Sequence, residues 1–240
     1  MKKKIKLIFF HPYSYLGGAD NSLQRLIKKL DLNKFSITFV SLNSSYLKKN
    51  LSKKIQFKKL MVSRTIYAMP ELRKLILSFS NGEFKKIIVI SNQNFANIIS
   101  YFSTIFINNI KRIFIDRNHI DELNFTKNLK EKFKKVIIKF LMKITYPKAN
   151  QVIGVSNKLS NDLSIFVKTN VKTIYSPSFD TDIIKKSRET INLNKKFKYI
   201  INVSRFSKRK DHKTTLNAFK IVSKKYDKIT ILHFDAHADL

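Results

Sequence analysis

Short apolar segments recur along this 240-residue chain with amphipathic helical patterns between them, and this alternation is the feature that most limits its fold. The apolar segments are Ile5–Phe10, Ser36–Ser41, Ile87–Ser91, Arg112–Ile115, Gln151–Val155, Lys172–Tyr175, Tyr199–Val203 and Ile229–Phe234. Parallel strands need a crossover between them, usually a helix, so alternation of this kind is typical of α/β proteins. The sequence therefore predicts an α/β fold with a parallel sheet.

Three segments between the strands have the periodicity of helices that pack on a sheet. Ala19–Leu30 has apolar residues at the spacing of one helical face. Glu71–Phe79 and Phe95–Phe106 are further predicted helices, and the second is apolar nearly all round, which predicts a buried helix.

A fourth helix is predicted over Leu129–Ile144, and it is both amphipathic and strongly basic. Its apolar stripe comprises Leu129, Phe133, Val136, Ile137, Phe140, Leu141 and Ile144, while lysines occupy much of the remaining surface. We expect the stripe to pack on the sheet and the lysines to face solvent. The alternative is contact between this helix and anionic lipid headgroups.

Composition excludes some functions but names no partner. The chain has 48 Lys and Arg against 16 Asp and Glu, for a formal net charge of +32, which attracts polyanions, anionic lipids or sugar-nucleotide phosphates. The basic residues are scattered through every segment, however, and no RNA-binding signature or helix-turn-helix pattern accompanies them, so we expect no specific nucleic acid partner. The absence of Cys excludes disulfides and a thiolate nucleophile.

Several strand ends carry residues suited to chemistry. Gly17 and Gly18 lie where the first strand leads into a helix, a place where a backbone can approach phosphate or a sugar hydroxyl. Asp116-Arg117-Asn118-His119 follows another strand, and Ser156 is placed to cap the next helix. Residues 201–220 read as a strand, a loop containing Lys210 and Asp211, and an amphipathic helix, the layout of a diphosphate-binding unit.

The order of four of these segments resembles the GT-B-fold glycosyltransferases of family 4, the "group 1" class. The matching segments are LGGAD at 16–20, VIGVSNKLSNDL at 152–163, TIYSPSFD at 173–180 and INVSRFSKRKDHKTTLNAFK at 201–220. The resemblance implies two Rossmann-like domains facing a cleft. Residues 1–180 would then form the N-terminal acceptor domain, 181–196 the interdomain segment, and 197–240 an incomplete donor-binding domain.

The resemblance also implies an activity and a site. The activity is transfer of a sugar from a nucleotide-diphosphate sugar to a glycan or lipid-linked acceptor, with no cofactor required. Arg205 and Lys210 match the basic pair that holds the donor diphosphate, where positive charge stabilises the departing nucleotide. Gly17 and Gly18 lie near the donor phosphates, and His119 is the predicted catalytic residue in a cleft-facing loop. The implied location is cytoplasmic, with peripheral attachment to the inner face of the cytoplasmic membrane through residues 129–144 as the further option.

The last residues depart from that family. Its donor domain continues to an acidic E-x7-E-type element that is absent here, so we expect a truncated donor domain whose activity alone is in doubt. ITILHFDAHADL at 229–240 instead resembles the metal-binding segment of ureohydrolases, the arginase and agmatinase family. That resemblance makes Asp235, His237 and Asp239 the metal ligands, and such carboxylate and imidazole groups suit Mn²⁺.

Two alternatives to a glycosyltransferase stay open from the sequence. The first is a non-enzymatic basic α/β module that binds a membrane surface or polyanion through Leu129–Ile144 and neighbouring lysines. The second, a minor one, is a metal-binding remnant of a ureohydrolase.

Overall fold

The computed structural model describes residues 3–14, 17–43, 48, 51–81, 83–179, 181–204 and 210–234. The chain divides into two compact units, Met1–Ser178 and Phe179–Leu240.

The first unit is built on a seven-stranded, all-parallel sheet. Its strands are β1 (Ile5–Phe10), β2 (Phe35–Ser41), β3 (Gln56–Lys59), β4 (Lys86–Asn92), β5 (Ile110–Asp116), β6 (Gln151–Gly154) and β7 (Val171–Thr173). They lie in the order β3-β2-β1-β4-β5-β6-β7, and every neighbouring pair is parallel. The predicted α/β, Rossmann-like fold is confirmed.

Five helices in the described part of this unit connect the strands. They are α1 (Gly18–Lys28), α2 (Ala68–Ser78), α3 (Asn94–Thr104), α4 (Leu129–Thr145) and α5 (Asn157–Val167). Short 3-10 turns at Thr65–Tyr67, Ile120–Leu123 and Tyr146–Lys148 complete the connections. The predicted cap of α5 is confirmed, since the Ser156 hydroxyl accepts a 3.3 Å hydrogen bond from the backbone N–H of Leu159.

Strand β1 shows why the strands read as continuous apolar runs. Successive side chains point to opposite faces, so Ile8 and Phe10 pack in the cluster that contains Leu72 of α2, while Leu7 and Phe9 pack in another cluster with α1. All four side chains are buried. At roughly 2 kcal/mol for each buried side chain of this size, coverage on both faces stabilises the sheet strongly.

Helix α4 packs with the face opposite to the one that the sequence predicted. Ile138, Met142 and Thr145 are its buried residues, whereas Phe133 and Phe140 of the predicted stripe within Leu129–Ile144 are exposed. The reason is local polar bonding on the inner face. The Nζ of Lys135 donates to the backbone oxygens of Glu122 and Phe125, and the Nζ of Lys139 donates to Asn124 Oδ1. The expectation that the apolar stripe packs on the sheet and leaves the lysine-rich face to solvent was therefore wrong.

The second unit contains a parallel β-α-β arrangement. Strands β8 (Lys198–Val203) and β9 (Ile229–Phe234) pair directly, and α7 (His212–Ser223) lies between them in the chain; a short helix, α6 (Thr181–Lys186), precedes them. Asp211 caps α7 by accepting a 3.3 Å hydrogen bond from the N–H of Thr214. A strand and a helix therefore lie at the two ends of the strand-loop-helix segment predicted for residues 201–220, while residues 205–209 between them lie outside the described residues.

A search of the described residues for a helix long and apolar enough to cross a bilayer finds none.

Candidate active site at the carboxyl edge of the sheet

The site lies where the order of the strands in the sheet reverses, next to β1. The chain lays down β2 and β3 on one side of β1, then crosses to β4 on the other side, so the carboxyl ends of β1 and β4 form a topological switch point, the place where open α/β sheets have a crevice. Ligands of open α/β sheets bind at such switch points. Polar residues lie at the ends of three strands at this edge: His11 follows β1, Asn92 ends β4, and Asp116 ends β5 with Arg117 directly after it.

Asp20 ties the start of α1 to the end of β1. One oxygen of its buried carboxylate, Oδ1, lies 2.7 Å from His11 Nε2, while Oδ2 accepts a 3.2 Å hydrogen bond from the backbone N–H of Gly17. Helix α1 begins there because this carboxylate satisfies a free N–H of its first turn. The bonds hold the Gly17-Gly18 turn close to the crevice.

Conformation does not require glycine at Gly17, and packing does not require it at Gly18. Gly17 is extended, with φ −99° and ψ 173°, so the backbone at this position does not need the freedom that glycine alone provides. A Cβ added to Gly18 would meet no atom within 4 Å. The first turn of α1 therefore has open space beside it, as the predicted phosphate-proximal role of Gly17 and Gly18 requires; that role stays a prediction.

Arg117 is the cation of the crevice. Its Nε donates to Asn92 Oδ1 at 3.2 Å, and its Nη1 lies 3.0 Å from the Ser22 hydroxyl and 2.8 Å from the Ser176 hydroxyl. Burial lowers the pKa of Arg117, and the nearby charge of Asp20 opposes that effect. The guanidinium has five N–H donors, and within the described residues Nη2 has no hydrogen-bond partner.

Two further polar atoms at this edge are buried and unpaired within the described residues. They are Nδ1 of His11 and Nδ2 of Asn92, on residues 2% and 0% exposed. Buried polar atoms nearly always have a partner, and leaving one unpaired costs roughly 1–3 kcal/mol. Together with Nη2 of Arg117, these atoms give the switch-point crevice unsatisfied bonding capacity for a polar ligand or water.

A buried hydrogen-bond network supports the end of β5. The Tyr146 hydroxyl donates to Asp116 Oδ2 at 2.6 Å, and Asn97 Nδ2 lies 3.0 Å from the same hydroxyl. The Ser91 hydroxyl donates in turn to Asn97 Oδ1 at 2.7 Å. Burial raises the pKa of Asp116 to about 7, although the Tyr146 hydrogen bond opposes it, and burial also raises the pKa of Tyr146 well above its usual value.

His119, the predicted catalytic residue, lies between two carboxylates. Its Nε2 is 2.6 Å from Asp162 Oδ2, and its Nδ1 is 3.0 Å from Asp121 Oδ2. The hydrogen bond with His119, followed by one from Lys158, lowers the pKa of Asp162. None of these contacts involves His11, Asp20 or Arg117, so the structure joins His119 to a separate cluster. Its catalytic role stays a prediction.

The other predicted site residues belong to the second unit. Lys210 is exposed and directly precedes the Asp211 cap of α7. Arg205, the other predicted diphosphate ligand, lies outside the described residues, as do the predicted metal ligands Asp235, His237 and Asp239. Among the residues that the structure does describe, no group of His, Asp and Glu is arranged to hold a metal ion.

Sequence reasoning assigned no role to Arg117, Asp20 or Asn92. Each stands at or directly after the end of a predicted strand or in the glycine-containing turn, so position relative to the sheet was the available signal. These three residues come together because of the order of the strands in the sheet, and no single segment of the sequence predicts that order.

No protein-family model matches the chain, and no curated protein matches it. Solved structures do match. Anabaena HepE in complex with UDP and glucose has a TM-score of 0.64 at 15% identity, over 97% of this chain and 61% of that one. A glycosyltransferase from Rickettsia africae has a TM-score of 0.58 at 16% identity, over 97% of this chain and 69% of that one.

A third neighbour is the N-terminal domain of Candida albicans trehalose-6-phosphate phosphatase, with a TM-score of 0.62 at 10% identity over 97% of this chain and 64% of that one. The chain thus spans between 61% and 69% of the length of these three structures. The names of these proteins describe different activities, which is common for a fold that supports several reactions. At these identities the likeness shows the fold alone, a Rossmann-like α/β fold.

Proposed function

We propose that this protein is a glycosyltransferase of the group 1 type, which transfers a sugar from a nucleotide-diphosphate sugar to a glycan or lipid-linked acceptor without a cofactor. The observation that carries the proposal is the polar crevice between β1 and β4, where Arg117, His11 and Asn92 have unsatisfied bonding capacity. The Rickettsia africae neighbour is a glycosyltransferase, and the Anabaena neighbour was solved with UDP and glucose; both support the proposal.

The first unit is proposed to bind the acceptor. Sugar hydroxyls both donate and accept hydrogen bonds, and they can pair with the buried atoms His11 Nδ1 and Asn92 Nδ2 only when the side chains that cover these atoms move apart. The free Nη2 of Arg117 suits an anionic or strongly polar group of the acceptor, because hydrogen bonds to a charged donor are about twice as strong as neutral ones. The open space beside Gly18 is proposed to take the donor phosphates rather than the acceptor.

The second unit is proposed to bind the donor through Arg205 and Lys210. When the bond between sugar and diphosphate breaks, negative charge grows on the departing nucleotide, and two fixed cations stabilise that charge. Arg is suited to bidentate contact with phosphate, and Lys acts as a point charge beside it.

His119 is proposed to act on the acceptor hydroxyl through Nδ1. Asp162 at Nε2 fixes the orientation of the ring, in the way a carboxylate orients a histidine base. Nδ1 lies 3.0 Å from the carboxylate of Asp121, whose side chain is 66% exposed, and it also accepts a 3.3 Å hydrogen bond from the backbone N–H of Asp121. Both contacts are exposed, and an acceptor hydroxyl has to displace both of them to donate to Nδ1.

The second candidate function is a non-enzymatic module that binds a membrane surface or polyanion. The observation that favours its membrane form is the outward apolar stripe of α4. Membrane contact is also compatible with a glycosyltransferase that uses a lipid-linked acceptor at the inner face of the cytoplasmic membrane.

Calorimetric titration of the full chain with UDP and with UDP-glucose tests the donor half of the proposal. We expect saturable binding that Arg205→Ala and Lys210→Ala weaken by tenfold or more, at about 2 kcal/mol for each charge-assisted contact. Lys220→Ala is the matched control, because Lys220 is exposed on α7, the helix that follows Lys210. Absence of binding to any nucleotide-diphosphate sugar would contradict the proposal, as would binding that Lys210→Ala and Lys220→Ala weaken equally.

A further inference from the structure

Helix α4 presents a row of large apolar side chains to solvent. Leu129 is 82% exposed, Phe133 69% and Phe140 62%, and Val136 and Ile144 continue the row. Phe125, just before the helix, is exposed as well. Single exposed apolar residues are ordinary, but a contiguous row along four turns of one helix marks a contact surface.

The exposed row is distinct from the face that holds the helix on the protein. Successive residues advance by about 100° around an α-helix, so buried Ile138 and exposed Phe140 point in nearly opposite directions. Buried Met142 and exposed Phe133 are likewise on opposite sides. The helix thus has two apolar faces, and only the inner one is used by the fold.

The helix is fixed in this orientation by polar contacts at its inner side and first turn. Asn128 Oδ1 accepts a 2.8 Å hydrogen bond from the N–H of Glu131, which caps the helix. Lys135 and Lys139 donate to the loop that precedes it. The outer row is therefore on the surface of the folded protein, and its exposure requires no rearrangement of the helix.

Lysines flank the exposed row on both sides. Lys132 and Lys143 lie on one flank, and Lys130 and Lys134 lie on the other, as the 3.6-residue repeat requires. Glu131, the one acidic residue of the helix, is turned to Lys135 at 3.3 Å and to the backbone N–H of Lys127. The outer surface of α4 therefore joins an apolar centre to a positive border.

We propose that the outer face of α4, defined by Leu129, Phe133, Val136, Phe140 and Ile144 with the four flanking lysines, docks on an anionic lipid bilayer. Apolar side chains of an interfacial helix enter the boundary between headgroups and acyl chains, while lysines bind the lipid phosphates. The inference rests on the geometry of α4 and is independent of the proposed glycosyl transfer.

Charge favours a bilayer over the alternative binding partners of this face, a second copy of the chain or a nucleic acid. A second copy of the chain also carries a net charge of +32, so two copies meeting through this face would bring their lysine rows together. A nucleic acid would satisfy the lysines but would leave the phenylalanines without an apolar partner. An anionic bilayer satisfies both.

Cosedimentation of the full chain with vesicles tests the proposal. We expect binding to vesicles of phosphatidylcholine mixed with phosphatidylglycerol and much weaker binding to phosphatidylcholine alone. The double variant Phe133→Ser with Phe140→Ser should bind the mixed vesicles at least about tenfold more weakly, because two exposed rings no longer enter the interface. Met61→Ser is the matched control, since Met61 is 80% exposed but follows β3, at the far edge of the sheet.

A fluorescence reporter provides an independent readout. The chain contains no tryptophan, so Phe140→Trp creates a single probe on the proposed face, and Met61→Trp creates one away from it. We expect a blue shift of the Phe140→Trp emission when mixed vesicles are added, and no shift for Met61→Trp. Replacement of the four flanking lysines by Gln should reduce binding to mixed vesicles, and high salt should do the same.

The proposal is overturned if the Phe133→Ser with Phe140→Ser variant binds the mixed vesicles as well as Met61→Ser does, or if neither tryptophan shifts. Binding that responds only to the lysines and to salt would also overturn it, since attraction without insertion is expected of any basic protein. Circular dichroism of each variant confirms that it is folded. Vesicle binding without sugar transfer would leave the docking surface supported and the proposed function contradicted.

Discussion

The Tyr146 hydroxyl donates a 2.6 Å hydrogen bond to the carboxylate of Asp116, and both side chains are buried. Tyr146 lies just after α4 and Asp116 is the last residue of β5, so this bond fastens the helical layer to the strand end that carries Arg117. Asn97 bonds the same hydroxyl and extends the connection to α3. A buried carboxyl group therefore stands directly behind the proposed site.

The stability of the protein should depend on the protonation of Asp116. Burial raises its pKa from the ordinary value of 3.8 to about 7, so between these values the folded protein holds a proton that the unfolded chain has released. Asp116 therefore makes its full contribution to the free energy of unfolding below pH 3.8. This contribution, on the order of 4 kcal/mol, is lost as the pH rises through 7.

The Asp116→Asn variant isolates this effect, because Asn keeps an oxygen that accepts from Tyr146 but has no proton to lose. Urea unfolding across this pH range should show wild-type stability falling relative to the variant as the pH rises. Parallel stability profiles would contradict the assigned pKa.

Replacement of Arg117 by Lys should destabilise the first unit. Lys cannot reproduce the planar contacts with Asn92, Ser22 and Ser176, and leaving buried partners unpaired costs roughly 1–3 kcal/mol. Chemical denaturation measures this cost, with Arg64→Lys, at an exposed position, as the control. Equal stability of the two variants would show that the guanidinium contacts contribute nothing.

Two glycine substitutions should differ in their effect on the stability of the protein. In Gly154→Ala the new Cβ would lie 2.4 Å from Ser160 Oγ and 3.1 Å from Ser160 backbone atoms, so we expect a loss of roughly 1–3 kcal/mol. In Gly18→Ala the Cβ meets no atom within 4 Å, and stability should stay within about 1 kcal/mol of the wild type or rise.

The same Gly18→Ala variant separates packing from ligand binding. If Gly18 lies beside the donor phosphates, its methyl group should weaken nucleotide-sugar binding in calorimetry while thermal unfolding is unchanged. Unchanged affinity in a folded variant would remove Gly18 from the proposed site.

His119→Gln should slow sugar transfer by about 10²-fold, the usual contribution of a positioned base. Asp162→Asn should have a smaller effect in the same direction, because it removes the charge that orients the ring through the 2.6 Å contact. Lys158→Ala, which removes the other partner of Asp162, serves as the control. Turnover of His119→Gln at the wild-type rate would exclude the catalytic role.

Strands with strong apolar patterns were predictable from the sequence, and Ile5–Phe10 and Ile229–Phe234 have the predicted bounds. Strand β3 was missed, because Gln56–Lys59 reads QFKK and an edge strand with exposed residues has no apolar run. Its pairing with β2 is decided by neighbours in space rather than by its own residues.

The orientation of α4 and the cluster around Arg117 depended on tertiary contacts. Periodicity located the helix correctly but could not reveal that Lys135 bonds the loop at Glu122 and Phe125, which turns the larger apolar stripe outward. Similarly, the sequence DRNH at 116–119 indicated a polar strand end. It could not indicate the contact between Arg117 and Ser22, because these residues are 95 positions apart in the chain.

Transfer of labelled sugar tests the proposed function most directly. The full chain is incubated with radiolabelled nucleotide-diphosphate sugars and with lipid-linked and free glycan acceptors, and products are separated from donor. We predict label in an acceptor together with an equal amount of released nucleotide diphosphate, both lost in the Arg205→Ala with Lys210→Ala variant. Saturable nucleotide binding with the labelled donor left intact, or with free sugar as the sole product, would contradict glycosyl transfer.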